Sequence, residues 1–227
     1  MKRALPFLIL AMPLLGAAGP IDQLGGDLEA TLNKFLAQQT NCQTWTAELT
    51  QVRLLKSLVQ PLVSTGRVWF ATPNQFRWEL GQPAQTIAVR NKDAMLVIYP
   101  RLNRAEKYSF GASKSARLKD SLALIEAGFP TSRAGLEQQF KIIPLSPTNS
   151  SQGLALQPKS SQARRAVSQV DLLISTNTYA LLGTTLHFGD GSTMMNLFTN
   201  AQSNSTLPAN IFTPTLGPDL KITEPLR

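Results

Sequence analysis

One histidine and one cysteine bound the reactive chemistry open to this chain of 227 residues. His187 lies in the arm of a hairpin with Asp190 just beyond it. Such a pair could be a catalytic remnant, but a strand histidine beside a turn is more often structural. Cys42 has no second cysteine to pair with, so stability must come from packing, and a catalytic thiol would need a neighbouring base that only His187 could supply. A G-x-S-x-G elbow, an S-x-x-K pair, an H-E-x-x-H helix and the phosphate-binding glycine motifs are all missing. With one His, one Cys and 14 Asp and Glu in all, metal sites have few candidates and no cofactor is expected. The chemistry that remains is burial of apolar surface. It concentrates in Gly66-Arg67-Val68-Trp69-Phe70-Ala71-Thr72-Pro73-Asn74-Gln75-Phe76-Arg77-Trp78-Glu79-Leu80, which reads as strand, Pro-Asn turn, strand. Side chains alternate across a strand, so Phe76, Trp78 and Leu80 share one face, with Arg77 and Glu79 opposite. Val68 and Phe70 point one way in the first arm, Trp69 and Ala71 the other. Large apolar groups on one face must be covered, either by a core or by something that enters a cavity.

The elements that would position these residues follow from periodicity. Leu24, Leu28, Leu32 and Leu36, with Phe35 beside them, recur at helical spacing and predict an amphipathic helix over about Ile21 to Gln39. Strand patterns then run from Trp45 to about Phe110. Asn91-Lys92-Asp93 forms a tight turn between Gln85–Arg90 and Ala94–Tyr99, and Pro100 ends the second strand. Leu118, Leu122, Ile125 and Phe129 predict a second helix over Ser115 to Phe129, stopped by Gly128 and Pro130. Strands resume at Phe140–Pro144, Leu154–Gln157, Ala166–Ser175, Tyr179–Phe188 and Thr193–Thr199, the last two joined by the turn Gly189-Asp190-Gly191-Ser192. Ser160–Arg165 and Ala201–Asn210 read as solvated loops. The sum is mainly β (α+β): a strongly curved antiparallel sheet, or incomplete β-barrel, with helices covering the concave apolar face.

The first residues read as a secretory signal. Lys2 and Arg3 precede an apolar run from Ala4 to Leu15, and Gly16-Ala17-Ala18 offers a cleavage site after Ala18. The alternative, a membrane anchor, would need roughly 20 apolar residues. Cleavage leaves one domain, residues 19–227, and lowers the formal net charge from +8 to about +6. An exported basic protein could meet anionic lipid head groups, acidic partners or polyanions, or simply be solubilised by its charge. The basic residues are scattered without an aromatic-interleaved stripe, so nucleic acid is not an expected partner.

The Gly66–Leu80 segment, with Phe76 and Trp78 in a Phe-x-Trp after the Pro-Asn turn, resembles the signature of the periplasmic outer-membrane lipoprotein carriers (LolA). Asp27-Leu28 with Leu32, Thr46-Ala47-Glu48-Leu49-Thr50-Gln51, Gln82-Pro83, Phe212-Thr213-Pro214, Gly217 and Asp219-Leu220-Lys221-Ile222 are similar to further family segments and stand in the same order. The resemblance implies an incomplete barrel closed by helical lids over an apolar cavity. It implies a soluble, non-catalytic carrier in the periplasm that takes lipid-modified proteins from an inner-membrane ABC transporter to an outer-membrane receptor. On this resemblance the acyl-chain cavity would be lined by Leu28, Leu32, Trp69, Phe76, Trp78, Leu122 and Ile125, and Met95, Met194 and Met195 would suit adaptable packing. The chain is expected to act as a monomer. The family carries a latching Arg immediately before the Pro of the turn. Here Thr72 stands there, with one neutral hydroxyl in place of five charged donors. Val97 stands where the family usually has Trp, and the Asn91–Asp93 turn lacks the usual Gly. These departures leave open a carrier or sensor of a free lipid, glycolipid or other apolar molecule on the same fold, or, less in keeping with the residues, a secreted hydrolase or acyltransferase.

Overall fold

The computed structural model describes residues 20–110, 129–130 and 132–224, with side chains from residue 26 onward. The expected leader and nearly all of the expected second helix, including Leu122 and Ile125, lie outside the described residues. Helix α1 spans Pro20–Thr40. Six strands follow: β1 (Thr44–Leu54), β2 (Leu62–Ala71), β3 (Gln75–Leu80), β4 (Thr86–Arg90), β5 (Ala94–Tyr99) and β6 (Arg104–Ser109). Helix α2 (Arg133–Gln139) leads into β7 (Phe140–Pro144) and β8 (Ser151–Pro158). Helix α3 (Ser161–Ala166) precedes β9 (Val167–Ser175), β10 (Leu181–Phe188), β11 (Thr193–Ser203) and β12 (Lys221–Thr223).

All twelve strands form one sheet in the order β12-β6-β5-β4-β3-β2-β1-β11-β10-β9-β8-β7. Its two ends, β12 and β7, are not paired with each other, so the barrel is incomplete, as expected. Turn chemistry holds the meander together. Asn74 takes the left-handed φ of 57° that ends the Pro-Asn turn. Asn91 Oδ1 accepts from the backbone N–H groups of Asp93 and Ala94 at 2.9 and 3.0 Å. Gly191 (φ 86°) closes the β10–β11 hairpin, where Asp190 Oδ1 accepts from Ser192 N–H at 2.8 Å.

The register fixes which residues look inward. Trp45, Phe70, Phe76, Arg90 and Met95 form one cross-strand row from β1 to β5. Ala47, Val68, Trp78, Ala88 and Val97 form the next. On the other side of β1, Gln51, Asn196, Thr184 and Leu172 make a row across β11, β10 and β9. Strand twist curls this many strands until β5 and β9 border one space.

Helix α1 lies against the concave face. Leu32 and Phe35 are fully buried, and Leu28 and Leu36 nearly so, in a core shared with Leu154, Leu156, Leu172, Ile174 and Leu181. Its polar side ties down at the β9–β10 turn. Lys34 Nζ donates to Tyr179 Oη at 2.8 Å, and Gln38 Nε2 to Thr178 O at 2.8 Å. Arg133 of α2 clasps Glu29 of α1 through both terminal guanidinium nitrogens and Glu137 through Nε, and the bonds from Arg133 hold the Glu29 carboxyl below its ordinary pKa.

Two expectations are corrected. Ser160–Arg165 is not a loop: residues Ser161–Ala166 form α3, capped by Ser160 Oγ accepting from Ala163 N–H at 3.2 Å. Ala201–Asn210 is strand in its first part, since β11 continues to Ser203 opposite Trp45. Helix α2, with only Leu136 buried, and β12, parallel to β6, had no periodic signal to reveal them.

Gly66 shows how tight the sheet is beside this face. A Cβ there would stand 1.8 Å from the backbone oxygen of Glu79. Gly66→Ala is therefore expected to destabilise the fold by about 1–3 kcal/mol or more, read from the midpoint of urea unfolding. An unchanged midpoint would mean that β2 and β3 separate freely at this point.

Candidate functional site: an apolar cavity on the concave face

Beside the α1-covered half of the sheet, the described residues leave part of the concave face unfilled. A cavity of about 310 Å³ lies there, at the lower end of the roughly 300–1,000 Å³ typical of small-molecule sites. Strand β3 supplies Phe76, Trp78 and Leu80, and β5 supplies Met95 and Val97. The facing wall is Val170 of β9, Leu186 of β10, and Met194 and Phe198 of β11. Aromatic rings run along its back. Phe70 stacks on Phe129 with centroids 4.7 Å apart, and Phe129 meets Trp45 edge-on at 5.1 Å. Trp45 in turn meets Phe198 at 5.2 Å, and Phe198 faces Trp78 at 6.1 Å.

One polar row crosses this wall. Gln51 Nε2 donates to Asn196 Oδ1 at 3.0 Å, and Asn196 Nδ2 to Thr184 Oγ1 at 3.1 Å. Gln51 and Asn196 are buried and all three residues line the cavity. Because Gln51 Nε2 and both polar ends of the Asn196 amide are bonded within the row, an apolar face can carry them at a reduced desolvation cost.

The expected site residues divide accordingly. Phe76 and Trp78 line the cavity. Leu28 and Leu32 do not: they are packed into the α1 core, Leu32 with no exposed surface. Trp69 is on the opposite face, directly across from Arg77, because alternation puts it out of phase with Val68 and Phe70. Leu122 and Ile125 lie outside the described residues, and the one described member of their stripe, Phe129, does border the cavity. Met95 and Met194 line it, whereas Met195, one residue on, faces the other way. Phe198, Asn196 and Gln51 were not singled out from sequence. The alternation Met194, Asn196, Phe198 was the available signal, hidden by the polar residue in its middle.

Thr72 is exposed in the β2–β3 turn. Its hydroxyl donates to Gln43 Oε1 at 2.8 Å and lies 3.3 Å from Gln43 O, so it fastens the link between α1 and β1. On the far side of the sheet, His187 Nε2 pairs not with Asp190 but with Asp171 Oδ2 at 2.6 Å, and Gln169 Nε2 donates to Asp171 Oδ1 at 2.7 Å. These residues alternate with Val170 and Leu186, so their side chains point away from the cavity. Cys42 is buried, with Sγ 3.2 Å from Thr44 O, and burial pushes its thiol pKa up, which keeps the nucleophilic thiolate scarce.

Residues 40–215 match the family model described as outer membrane lipoprotein carrier protein LolA. The chain belongs to that family. An outer-membrane lipoprotein carrier protein of Dechloromonas aromatica (strain RCB) is 26% identical over 215 residues, covering 92% of this chain and 90% of that protein. The crystal structure of an uncharacterized conserved protein from Thermus thermophilus superposes with a TM-score of 0.52 at 9% identity. It covers 87% of this chain and 98% of its own, and speaks for the fold alone. Membership gives this chain a lipoprotein or lipid carrier fold. Among the described residues, no helix is long and apolar enough to cross a membrane.

The position of Thr72 generates a test. Thr72→Val removes an exposed hydrogen bond, so stability should fall by less than about 1 kcal/mol. Affinity for an acylated fluorophore should stay within about twofold, a shift of under roughly 0.5 kcal/mol. A larger loss of affinity would place a gate at this turn.

Proposed function

We propose that this protein is a periplasmic carrier that shields the acyl chains of lipid-modified proteins in its concave cavity and ferries them from the inner to the outer membrane. The observation that carries the reading is the unfilled apolar cavity bounded by Phe76, Trp78 and Phe198, in a chain of the LolA family. Each CH₂ removed from water is worth about 0.8 kcal/mol, so acyl chains in an aqueous compartment need such a shelter. A single domain from residue 19 to 227 would perform this, as a monomer, once residues 1–18 are removed. Loading would come from an inner-membrane ABC transporter and unloading would go to an outer-membrane receptor. No step makes or breaks a covalent bond.

The binding residues proposed are Phe76 and Trp78, joined by Phe198, Met95 and Met194. Leu122 and Ile125 stay in the proposal on the strength of Phe129, the neighbour of their stripe. A cavity of this size must widen to take more than one chain. Methionine, unbranched and polarisable, is the side chain that yields most easily.

A second cargo class is favoured by two particulars. Thr72 bonds to Gln43 and offers no charged latch, and the Gln51–Asn196–Thr184 row offers hydrogen bonds to an ester, amide or hydroxyl within the cavity. A free lipid or glycolipid would use both. Mass spectrometry of ligands extracted from the purified protein separates the two, since lipoprotein cargo brings a peptide with its acyl chains.

Trp78→Glu tests the cavity itself. Trp78 is only partly buried and borders open space, so the variant is expected to fold, as judged by an unchanged far-UV circular dichroism spectrum. A carboxylate there meets acyl chains only when cargo arrives, and affinity for an acylated fluorophore should fall at least about tenfold, or roughly 1.4 kcal/mol. Wild-type affinity in a folded variant would remove the cavity from the account.

A further inference from the structure

The β1–β2 hairpin carries apolar surface that the fold does not use. Among the described residues eight large hydrophobic side chains are exposed, and five of them, Leu54, Leu58, Val59, Leu62 and Val63, fall within ten consecutive positions. Val59, at the tip, has its whole side chain in solvent, and Val63 is 61% exposed. Isolated exposed hydrophobics are ordinary, but a contiguous group of this kind marks an interaction site.

The outer part of β2 has no β3 partner, while β1 stays paired to β11 as far as Leu54 opposite Thr193, so only the tip, residues 55–61, runs beyond the sheet. The β2–β3 register begins at Gly66 opposite Leu80. Beyond it, among the described residues, Thr65 O accepts from Gly81 N–H at 2.8 Å, and the rest of β2 pairs with β1. Leu62 lies across from Arg53 and shares the inner face, while Val63, across from Val52, shares the outer one. Both faces of the hairpin's outer end thus carry exposed apolar side chains. Leu58 N–H bonds back to Leu55 O at 2.9 Å, so the tip is a folded turn.

Charge selects the occupant. From Arg53 to Val63 the chain carries Arg53 and Lys56 and no acidic residue. Asp190 in the neighbouring β10–β11 turn feels Lys56: its pKa is lowered mainly by hydrogen bonding to Ser192, with a smaller contribution from Lys56. A groove on a protein would cover one face of the hairpin. Lipid surrounds a tip on all sides, and anionic head groups would receive Arg53 and Lys56 at the level where the apolar side chains enter.

We propose that the β1–β2 hairpin is a membrane-docking element that inserts Leu58 and Val59 into the interface of an anionic lipid bilayer. It also orients the cavity. Arg53 pairs across the sheet with Met194 and Gln51 with Asn196, so the hairpin runs directly out of the cavity wall. Docking would bring the cavity to the surface from which acyl chains leave or which they enter. This purpose rests on the carrier reading; the docking itself does not.

The test is cosedimentation of the protein with vesicles of phosphatidylcholine alone and of phosphatidylcholine mixed with phosphatidylglycerol. Wild type is expected to bind the mixed vesicles and to release in high salt. Val59→Asp, and separately Leu58→Ser with Val59→Ser, should lose at least about tenfold in partitioning. Lys56→Glu should weaken binding only to the mixed vesicles. All these positions are exposed, so affinity for an acylated fluorophore in solution should not change, which keeps failure of docking distinct from failure of the carrier reading. The proposal is overturned if wild type does not bind the mixed vesicles, if Val59→Asp binds them as well as wild type does, or if binding appears only when the vesicles hold a membrane protein. The last result would assign the hairpin to a protein partner.

Discussion

The rest of the structure depends on a mismatch: the concave face of the sheet carries more apolar side chain than helix α1 covers. Twelve strands alternate residues in and out, and twist curls them around an interior. Helix α1 fills the part beside β8 to β10, where Leu32 and Phe35 lose all contact with water. It is held there by Lys34, Gln38 and Glu29 through contacts to the β9–β10 turn and α2. It does not fill the space between β3–β5 and β9–β11. Protein interiors are close-packed, and an apolar void of this size is costly unless something occupies it for part of the molecule's working life. The cavity is thus a departure from efficient packing, and departures of this kind collect at sites of function.

Two features of the wall suit reversible occupation. Met95 and Met194 sit where the wall must yield, and their unbranched chains can rearrange without strained rotamers. The Gln51–Asn196–Thr184 row gives the same wall a strip of hydrogen-bonding groups that do not need a ligand to be satisfied. A cargo with a polar linkage can bond to it; a bare hydrocarbon can pass over it.

Much of this was legible in the sequence, because the signals were local. Leucines at helical spacing gave α1, and the Asn91 and Asp190 turns gave their hairpins. The Phe-x-Trp alternation placed Phe76 and Trp78 on the inner face. What failed was non-local. Leu28 and Leu32 have the same composition whether they line a void or fill it, and only the three-dimensional packing shows that they fill it. Trp69 is the local exception: its phase against Val68 puts it on the outer face, opposite Arg77. The partner of His187 proved to be a residue on the adjacent strand, Asp171, which sequence proximity to Asp190 concealed. Phe198 and Asn196 reach the cavity through a pairing of β1 with β11, about 145 residues apart in the chain. Such pairings leave no trace in a short window.

The central claim is that acyl chains occupy the space between β3–β5 and β9–β11. It is tested most directly by methyl NMR of the protein labelled at methionine, titrated with a spin-labelled fatty-acylated peptide. Met95 and Met194 line the cavity, and Met195 faces the other side of the sheet. The account predicts strong broadening of the Met95 and Met194 methyl signals, little change at Met195, and no effect from the unacylated spin-labelled peptide. Broadening at Met195 equal to that at Met194, or none at either cavity methionine when the peptide is bound, would contradict it.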